Sequence, residues 1–317
     1  MDTHHIPVLC DKVVDFLNPK PEGVYIDGTV GLGGHSAAIL EISAPSGRLI
    51  GIDLDVDALT VAENRLHTFG ERVSLINGNF AEMDVLLARH SVHAVDGILL
   101  DLGVSSLQLD TPHRGFSFNH TGPLDMRMNL GRGLESAKQA TLTAMQVVND
   151  STIDVLVDIF RRYGEERFAK RIAERVVRAR QQEPITTTTQ FAEIVKKAVP
   201  QKTFKIHPAT RVFQALRIHV NAELENLGAA LDVAISLLKP GGCLCVITFH
   251  SLEDRIVKRC FQTCAKTCIC PPKTPICICE HKSSVEIVTK RPVLPGGDET
   301  QHNPRARSAK LRVVRKL

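Results

Sequence analysis

Apolar positions along this chain fall into two periods. In the first third, short apolar runs alternate with stretches of helical spacing. Val24-Tyr25-Ile26-Asp27 reads as a short buried strand that runs into Gly28-Thr29-Val30-Gly31-Leu32-Gly33-Gly34-His35 and then a helix over Ser36 to Ile42. Gly47-Arg48 is a turn, and Leu49-Ile50-Gly51-Ile52-Asp53 is a second strand. Asp57 is expected to cap a helix with Leu59, Ala62 and Leu66 on one face. Val73 to Ile76 is a third strand. Ile98-Leu99-Leu100-Asp101 is a fourth, apolar throughout, as a central parallel strand buried on both faces should be. Repeated strand–helix–strand order predicts an α/β fold with a parallel sheet.

From about Gln108 to Arg211 the strand signals vanish. Arg161 to Gln182 reads as one helix, with Phe168, Ile172 and Val176 at four-residue spacing and basic residues opposite. Thr187 and Gln190 fit a capping box opening a helix with Phe191, Ile194, Val195 and Ala198 on its apolar face, ended by Pro200. After this the α/β pattern resumes. Leu224, Leu227, Leu231, Ile235 and Leu238 line a helix stopped by Lys239-Pro240-Gly241-Gly242. Cys243 to Phe249 is a strand, a helix follows from Ser251, and Val285–Val288 with Leu311–Val314 form a final strand pair. The expected division is 1–110 and 212–317 as two parts of one α/β domain, with 111–211 inserted as a helical domain.

Composition adds modest constraints. Of 317 residues, 43% are hydrophobic and 23% charged, ordinary values for a globular protein. No apolar run reaches the ~18 residues needed to span a bilayer, and the first residues lack a basic-then-apolar leader, so a cytoplasmic protein is expected. The net charge is only +4, but Gln301 to Leu317 holds Arg305, Arg307, Lys310, Arg312, Arg315 and Lys316 and no acid. Such a patch fits either a polyanionic partner or a solvated tail. Six of the nine cysteines lie between Cys260 and Cys279. No metal is assigned, although Cys268, Cys270, Cys277 and Cys279, flanking Pro271, Pro272 and Pro275, fit a zinc site, a reduced thiol-bearing loop or a redox-sensitive pair.

The chemistry centres on the glycine loop. Its spacing is not G-x-G-x-x-G, so alone it is weak evidence and an ordinary strand-to-helix turn stays an alternative. Asp53 at the tip of the second strand is placed to bind the two ribose hydroxyls of an adenosine. No P-loop lysine is present, and Asp27 at the loop mouth would repel a pyrophosphate while suiting the cationic S-adenosylmethionine. Electrostatics therefore favours a methyl donor over NAD. Phe80 is either a stacking residue for adenine or a core residue. Asp101 ends the fourth strand, where the reacting group sits in an open α/β sheet. Beside a methyl donor it can accept a hydrogen bond from an acceptor amine; otherwise it is a loop-ordering cap. His250 fits a substrate-orienting or proton-moving role, or a structural one at a helix start. Asn303-Pro304-Arg305-Ala306-Arg307 suits phosphate contacts, and His207 to Arg211 lies where the chain re-enters the α/β domain.

Together these stretches resemble the RsmH (MraW) family of bacterial methyltransferases. The match is carried by His5-Ile6-Pro7-Val8-Leu9, Tyr25-Ile26-Asp27-Gly28-Thr29, Gly31-Leu32-Gly33-Gly34-His35-Ser36 and Asp96 to Ser106. It continues through Arg114-Gly115-Phe116-Ser117-Phe118, Gly122 to Met128, Tyr163-Gly164-Glu165-Glu166-Arg167, His250 to Arg255 and Asn303 to Arg307. The resemblance implies a class I (Rossmann-like) S-adenosylmethionine-dependent methyltransferase sheet with an inserted helical substrate-recognition domain. It carries cofactor contacts to Gly33, Gly34, His35, Asp53, Phe80, Asp101 and Gln108, and leaves Asp101 and His250 as the catalytic candidates. The implied target is the N4 amine of a decoding-region cytidine in small-subunit (16S) rRNA, in an assembled or nearly assembled 30S particle. A monomer or homodimer without a membrane partner is expected. Two other readings stay open: an NAD-dependent oxidoreductase, and a non-catalytic ribosome assembly factor on the same fold.

Overall fold

The computed structural model describes residues 7–129, 142–200, 207–271 and 277–317. The chain divides into two compact units, Met1–Gly103 with Leu224–Leu317, and Val104–Glu223. The sequence pattern had placed the inserted segment at 111–211. His5 and Ile6 of the first family stretch, and Pro272 and Pro275 of the cysteine-rich segment, lie outside the described residues.

The first unit is built on one seven-stranded sheet. Its strands are β1 (Val24–Asp27), β2 (Arg48–Asp53), β3 (Val73–Asn77), β4 (Val95–Asp101), β5 (Leu238–Thr248), β6 (Val285–Ile287) and β7 (Lys310–Lys316), in the order β3-β2-β1-β4-β5-β7-β6. Strands β1 to β5 pair in parallel; β7 runs antiparallel to both β5 and β6. The order reverses direction between β1 and β4, and that reversal opens a crevice at the carboxyl ends of the two strands. This is the Rossmann-like α/β sheet expected of a class I methyltransferase, with the expected final strand pair at its edge.

Both faces of the sheet are covered, which is why its strands read as apolar runs. On one face Ile26, Ile52, Ile98, Leu100, Leu244 and Val246 pack against α4 (Met83–Arg89), α11 (Glu223–Leu237) and α12 (Ser251–Cys264) through Leu87, Leu231 and Phe261. On the other, Tyr25, Leu49, Leu99, Cys245 and Ile247 meet α1 (Cys10–Leu17), α2 (Gly34–Ile42) and α3 (Val56–Leu66) through Val13, Ile39 and Leu66. Each fully buried aliphatic side chain contributes about 1.5–3 kcal/mol, so the alternation of Ile98, Leu99 and Leu100 between the faces fixes the register of β4. Helix α3 is capped by Asp55, whose carboxylate accepts from Asp57 N, rather than by Asp57.

The second unit is helical. It comprises α5 (Ser106–Asp110), α6 (Ala144–Asp150), α7 (Ile153–Arg162), α8 (Ala169–Arg180), α9 (Thr188–Ala198) and α10 (Ala209–Asn221). The single helix expected over Arg161–Gln182 is two helices. The break falls where the chain turns tightly against a distant segment: a Cβ at Gly164 would sit 2.7 Å from Arg211 O and 2.8 Å from Phe160 O, and Glu165 takes φ +46°. Thr187 caps α9 as the spacing predicts, accepting from Gln190 N. A remaining helix, α13 (Gly297–His302), belongs to the first unit. Among the described residues no helix is long and apolar enough to cross a membrane.

Candidate functional site

The glycine loop leaves β1 while hooked to its neighbours. Gly28 N donates to Leu99 O at 2.9 Å and Val30 N to Ile52 O at 3.1 Å. Gly33 then takes φ +76°, ψ +17°, a left-handed conformation that sets the start of α2 and favours glycine. Asp27 holds the loop from below. Its Oδ2 accepts from the Ser36 hydroxyl at 2.7 Å and its Oδ1 from Thr29 N at 3.2 Å. It is only 1% exposed, and burial pushes its pKa up to about 6 against the pull of those two bonds. The expectation that Asp27 faces a ligand amine is therefore corrected: both oxygens order the loop.

Asp53 at the end of β2 ties two loops together. Oδ2 accepts from Gly31 N at 2.8 Å and Oδ1 from Asp55 N at 2.9 Å. Each oxygen keeps a further lone pair, enough to receive a diol. Burial raises its pKa to about 6, with Asp55 and Asp27 adding like charge. Beside it, Asn77 ends β3 and donates from Nδ2 to Asp53 O at 3.0 Å and Leu54 O at 3.1 Å. Its Oδ1 is buried without a hydrogen-bond partner. Sequence reading missed Asn77; the available signal was a lone polar residue ending a strand at the carboxyl edge. Asn79 caps the turn that carries Phe80, accepting from Ala81 N at 2.9 Å. Phe80 is half-buried and packs on the core, and its Cβ would lie 3.3 Å from a Cβ at Gly28. It thus borders the loop and the core at once.

Asp101 and His35 meet across the β1–β4 reversal. Asp101 N donates to the Thr29 hydroxyl at 2.6 Å, so the loop positions the end of β4. Asp101 Oδ2 lies 3.7 Å from His35 Nδ1, while Oδ1 is buried with no hydrogen-bond partner. His35 is buried and its Nε2 is 2.9 Å from Val8 O. A carbonyl only accepts, so Nε2 carries a proton and Nδ1 presents its lone pair to Asp101 in the neutral ring. Burial, then the charges of Asp27 and Glu253, push the Asp101 pKa well above its ordinary value. An unpaired buried carboxylate oxygen among other carboxylates is a place prepared for a cation or a hydrogen-bond donor.

At the end of β5, His250 caps α12 in a reciprocal box with Glu253. Glu253 Oε2 accepts from Phe249 N at 2.8 Å and His250 N at 3.2 Å; Glu253 N donates to His250 Nδ1 at 3.4 Å. This is the helix-start role that the sequence left open. His250 Nε2 is 3.0 Å from Glu253 Oε1 but off the N–H direction, and makes no hydrogen bond. The structure thus gathers Gly33, Gly34, His35, Asp53, Phe80, Asp101 and His250 in the first unit, along the carboxyl edge of its sheet. Gln108 belongs to the second unit, where it is 4% exposed and closes a capping box with Ser105 at the start of α5. A cleft of about 470 Å³ lined by Phe16, Tyr25, Asp96, Lys239 and Arg315 lies instead at the amino ends of the strands, away from these groups.

The basic segment is not a solvated tail. Residues 310–316 form β7 inside the sheet. Arg312 is 7% exposed and grips Asp254 with both ends of its guanidinium, at 2.6 and 3.2 Å. Lys310 is 3.5 Å from the same carboxylate, and Arg315 is 3.3 Å from Glu286. Arg305 and Arg307 remain exposed. In the second unit Arg161, Arg167, Lys170, Arg171, Arg175 and Arg178 are exposed along α7, α8 and their connection. Within that unit the Gly122-to-Met128 stretch is knotted internally: Arg127 pairs with Asp125 through two 2.8 Å bonds, and Asn221 bridges Met126 O and Met128 N.

Comparison with known proteins gives a family, two full-length relatives and a structural likeness. The family model described as the MraW methylase family matches residues 2–317. Ribosomal RNA small subunit methyltransferase H of Syntrophotalea carbinolica is 52% identical over 315 residues, 99% of this chain and 98% of that protein. The protein of the same name from Geobacter sulfurreducens is 51% identical over 320 residues, covering 100% of both chains. Among solved structures, SMU.1697c from Streptococcus mutans, crystallised with SAH, overlaps 98% of this chain and 99% of its own at 11% identity and a TM-score of 0.41, a likeness that speaks to neither site nor activity.

Proposed function

The chain belongs to the MraW methylase family, and from that premise we propose that it transfers a methyl group from S-adenosylmethionine to the N4 amine of a cytidine in the decoding region of small-subunit (16S) rRNA. S-adenosylmethionine-dependent methylation of ribosomal RNA follows from the membership and from relatives matched over the whole chain. The amine, the base and its region are the finer part of the reading, as is the assembled or nearly assembled 30S particle as substrate. Membership in a methylase family removes the oxidoreductase reading.

The observation that carries the reading is the unpartnered Asp101 Oδ1. The residues fit the donor. Asp53 and Asp101, raised in pKa by burial and by the like charge of neighbouring carboxylates, suit a cation. When bound, S-adenosylmethionine supplies a methyl group on a positively charged sulfur. Asp53 would hold the ribose diol, Asn77 and Phe80 the base of the adenosine, and the loop from Gly31 to His35 the remaining chain. A cytosine amine is a poor nucleophile because its lone pair conjugates into the ring. Asp101 would accept its N–H, localise the lone pair and orient the nitrogen. His35, fixed by Val8 O, sets its Nδ1 3.7 Å from the other oxygen of that carboxylate. His250 offers Nε2 as an unused donor for the base or its ribose. The target base must leave its stack to reach a crevice at a strand end. The exposed cations of the helical unit and Arg305 and Arg307 would hold the RNA backbone.

Asp101→Ala and Asp101→Asn test this. Methylation of small subunits lacking the mark should fall by roughly 10²–10³-fold or more in both. Wild-type turnover with unchanged cofactor affinity would sink the role. Full loss of turnover in a chain that binds neither cofactor nor RNA differently would support it. Mapping of small-subunit RNA from a deletion strain that shows no missing methyl group would favour the assembly-factor reading instead.

A further inference from the structure

After α12 the chain makes a loop that rejoins the sheet at β6. The loop is pinned at its base: Ser284 N donates to Cys264 O at 2.9 Å, and His281 Nε2 lies 3.0 Å from Thr263 O. Two C-x-C pairs, Cys268/Cys270 and Cys277/Cys279, face each other above that base. Their four sulfurs all lie within 4.8 Å of one another. Cys268 to Cys277 is 3.5 Å, Cys277 to Cys279 3.6 Å, Cys279 to Cys268 3.7 Å and Cys270 to Cys277 3.8 Å.

A tetrahedral zinc–thiolate site with bonds of about 2.3 Å has sulfur–sulfur edges of roughly 3.8 Å. A disulfide needs its two sulfurs about 2.05 Å apart and would single out partners. Here the spacing is nearly even along the four edges given, so the sulfurs share a centre rather than pairing. Burial does not gather them, because Cys268 and Cys277 are exposed. Nor does apolar packing, since the intervening Ile269 and Ile278 are 48% and 80% exposed. The narrow C-x-C spacing is accommodated by backbone donors: Cys270 N points to Cys268 Sγ and Ile269 N to Cys279 Sγ, both at 3.4 Å. Amide donors to ligand sulfur are the usual outer support of a thiolate site.

We propose that Cys268, Cys270, Cys277 and Cys279 bind one Zn²⁺ as a closed structural site that fastens the α12–β6 loop to the edge of the sheet. Each ligation replaces an S–H bond by an S–Zn bond and releases the proton to solvent; nothing is oxidised or reduced. All four positions are filled by protein, so the ion keeps no open site for chemistry. The site is separate from the methyl-transfer residues, and its test does not depend on them.

The full chain, purified without a metal-affinity step, is incubated with Zn²⁺ alone under reducing conditions and dialysed. About one equivalent of zinc should remain, and Co²⁺ in its place should give the intense absorption of a tetrahedral thiolate complex. Cys268→Ser and Cys277→Ser should each lose the Co²⁺ spectrum. Cys10→Ser and Cys260→Ser should keep it, which separates this site from the Asp232, Cys260 and Cys264 group. Circular dichroism checks that the serine variants fold, and the wild-type Co²⁺ spectrum stands without them. Retention of well under one equivalent, an octahedral Co²⁺ spectrum, or a non-reduced mass showing disulfides among these four cysteines would overturn the proposal.

Discussion

Asp254→Ala is the sharpest test of where the basic charge goes. The carboxylate faces Arg312, whose side chain is 9% exposed, through contacts at 2.6 and 3.2 Å. Removing it leaves a guanidinium in the sheet without its counter-charge, a loss of about 3 kcal/mol for a pair this enclosed. For a unit of this size that lowers the thermal midpoint by roughly 6–12 °C. Burial raises the Asp254 pKa, but the hydrogen bond and charge of Arg312, with Lys310, outweigh it and leave it lowered. A lowered acid contributes stability that is complete above its unfolded pKa of about 3.9 and is lost as pH falls through the folded value. The gap between wild type and variant should therefore be full at neutral pH and close in strong acid. Adding Arg312→Met should recover most of the loss, since an apolar replacement needs no partner. The assay is differential scanning calorimetry from acid to neutral pH, with RNA binding measured alongside. Arg305→Ala/Arg307→Ala should change stability by under about 0.5 kcal/mol while weakening RNA binding. An Asp254→Ala chain as stable as wild type, or an Arg305→Ala/Arg307→Ala chain as destabilised as Asp254→Ala, would refute this division between enclosed and exposed cations.

Two further outcomes are expected at the cofactor loop. Gly33→Ala places a Cβ at φ +76° and 3.3 Å from Leu66, so it should cost about 1–2 kcal/mol and weaken S-adenosylhomocysteine binding in calorimetry. Asp53 has a folded pKa raised to about 6 by burial, so the free protein should lose stability as pH rises from about 4 to about 6; Asp53→Asn should flatten that slope and bind the ligand at least about tenfold more weakly.

The sheet was legible because strands covered on both faces must be apolar through their centres, as Val24–Ile26 of β1, Leu49–Ile52 of β2 and Gly97–Leu100 of β4 are. Asp53 and Asp101 were legible for the complementary reason: each is the first polar residue after such a run, and so marks a carboxyl end. What stayed hidden depends on partners far away in the chain. Arg312 looked like part of a solvated tail until its neighbour, 58 residues earlier, was in place. The helix break after Arg162 is set by Gly164 meeting Arg211 O, a contact no local period encodes. Asn77 carries no motif, and its unused oxygen is visible only once β3 lies beside β2. Asp27 had the right residue type for a ligand, but Ser36, nine residues on, takes the oxygen first.

These placements change the electrostatic argument for the methyl donor without reversing it. Sequence alone located the repulsion of pyrophosphate in Asp27, which proves to be inside the loop. The structure moves the negative surface of the site to Asp53 and Asp101, with Glu253 behind, and the like charges act on one another. Without a ligand, burial makes each of Asp27, Asp53 and Asp101 reluctant to ionise, a state that opposes folding stability at neutral pH. A ligand with fixed positive charge relieves that opposition, whereas an anionic one deepens it. The glycine loop fixes the positions of those two strand ends through Thr29, which accepts from Asp101 N, and Gly31, which donates to Asp53.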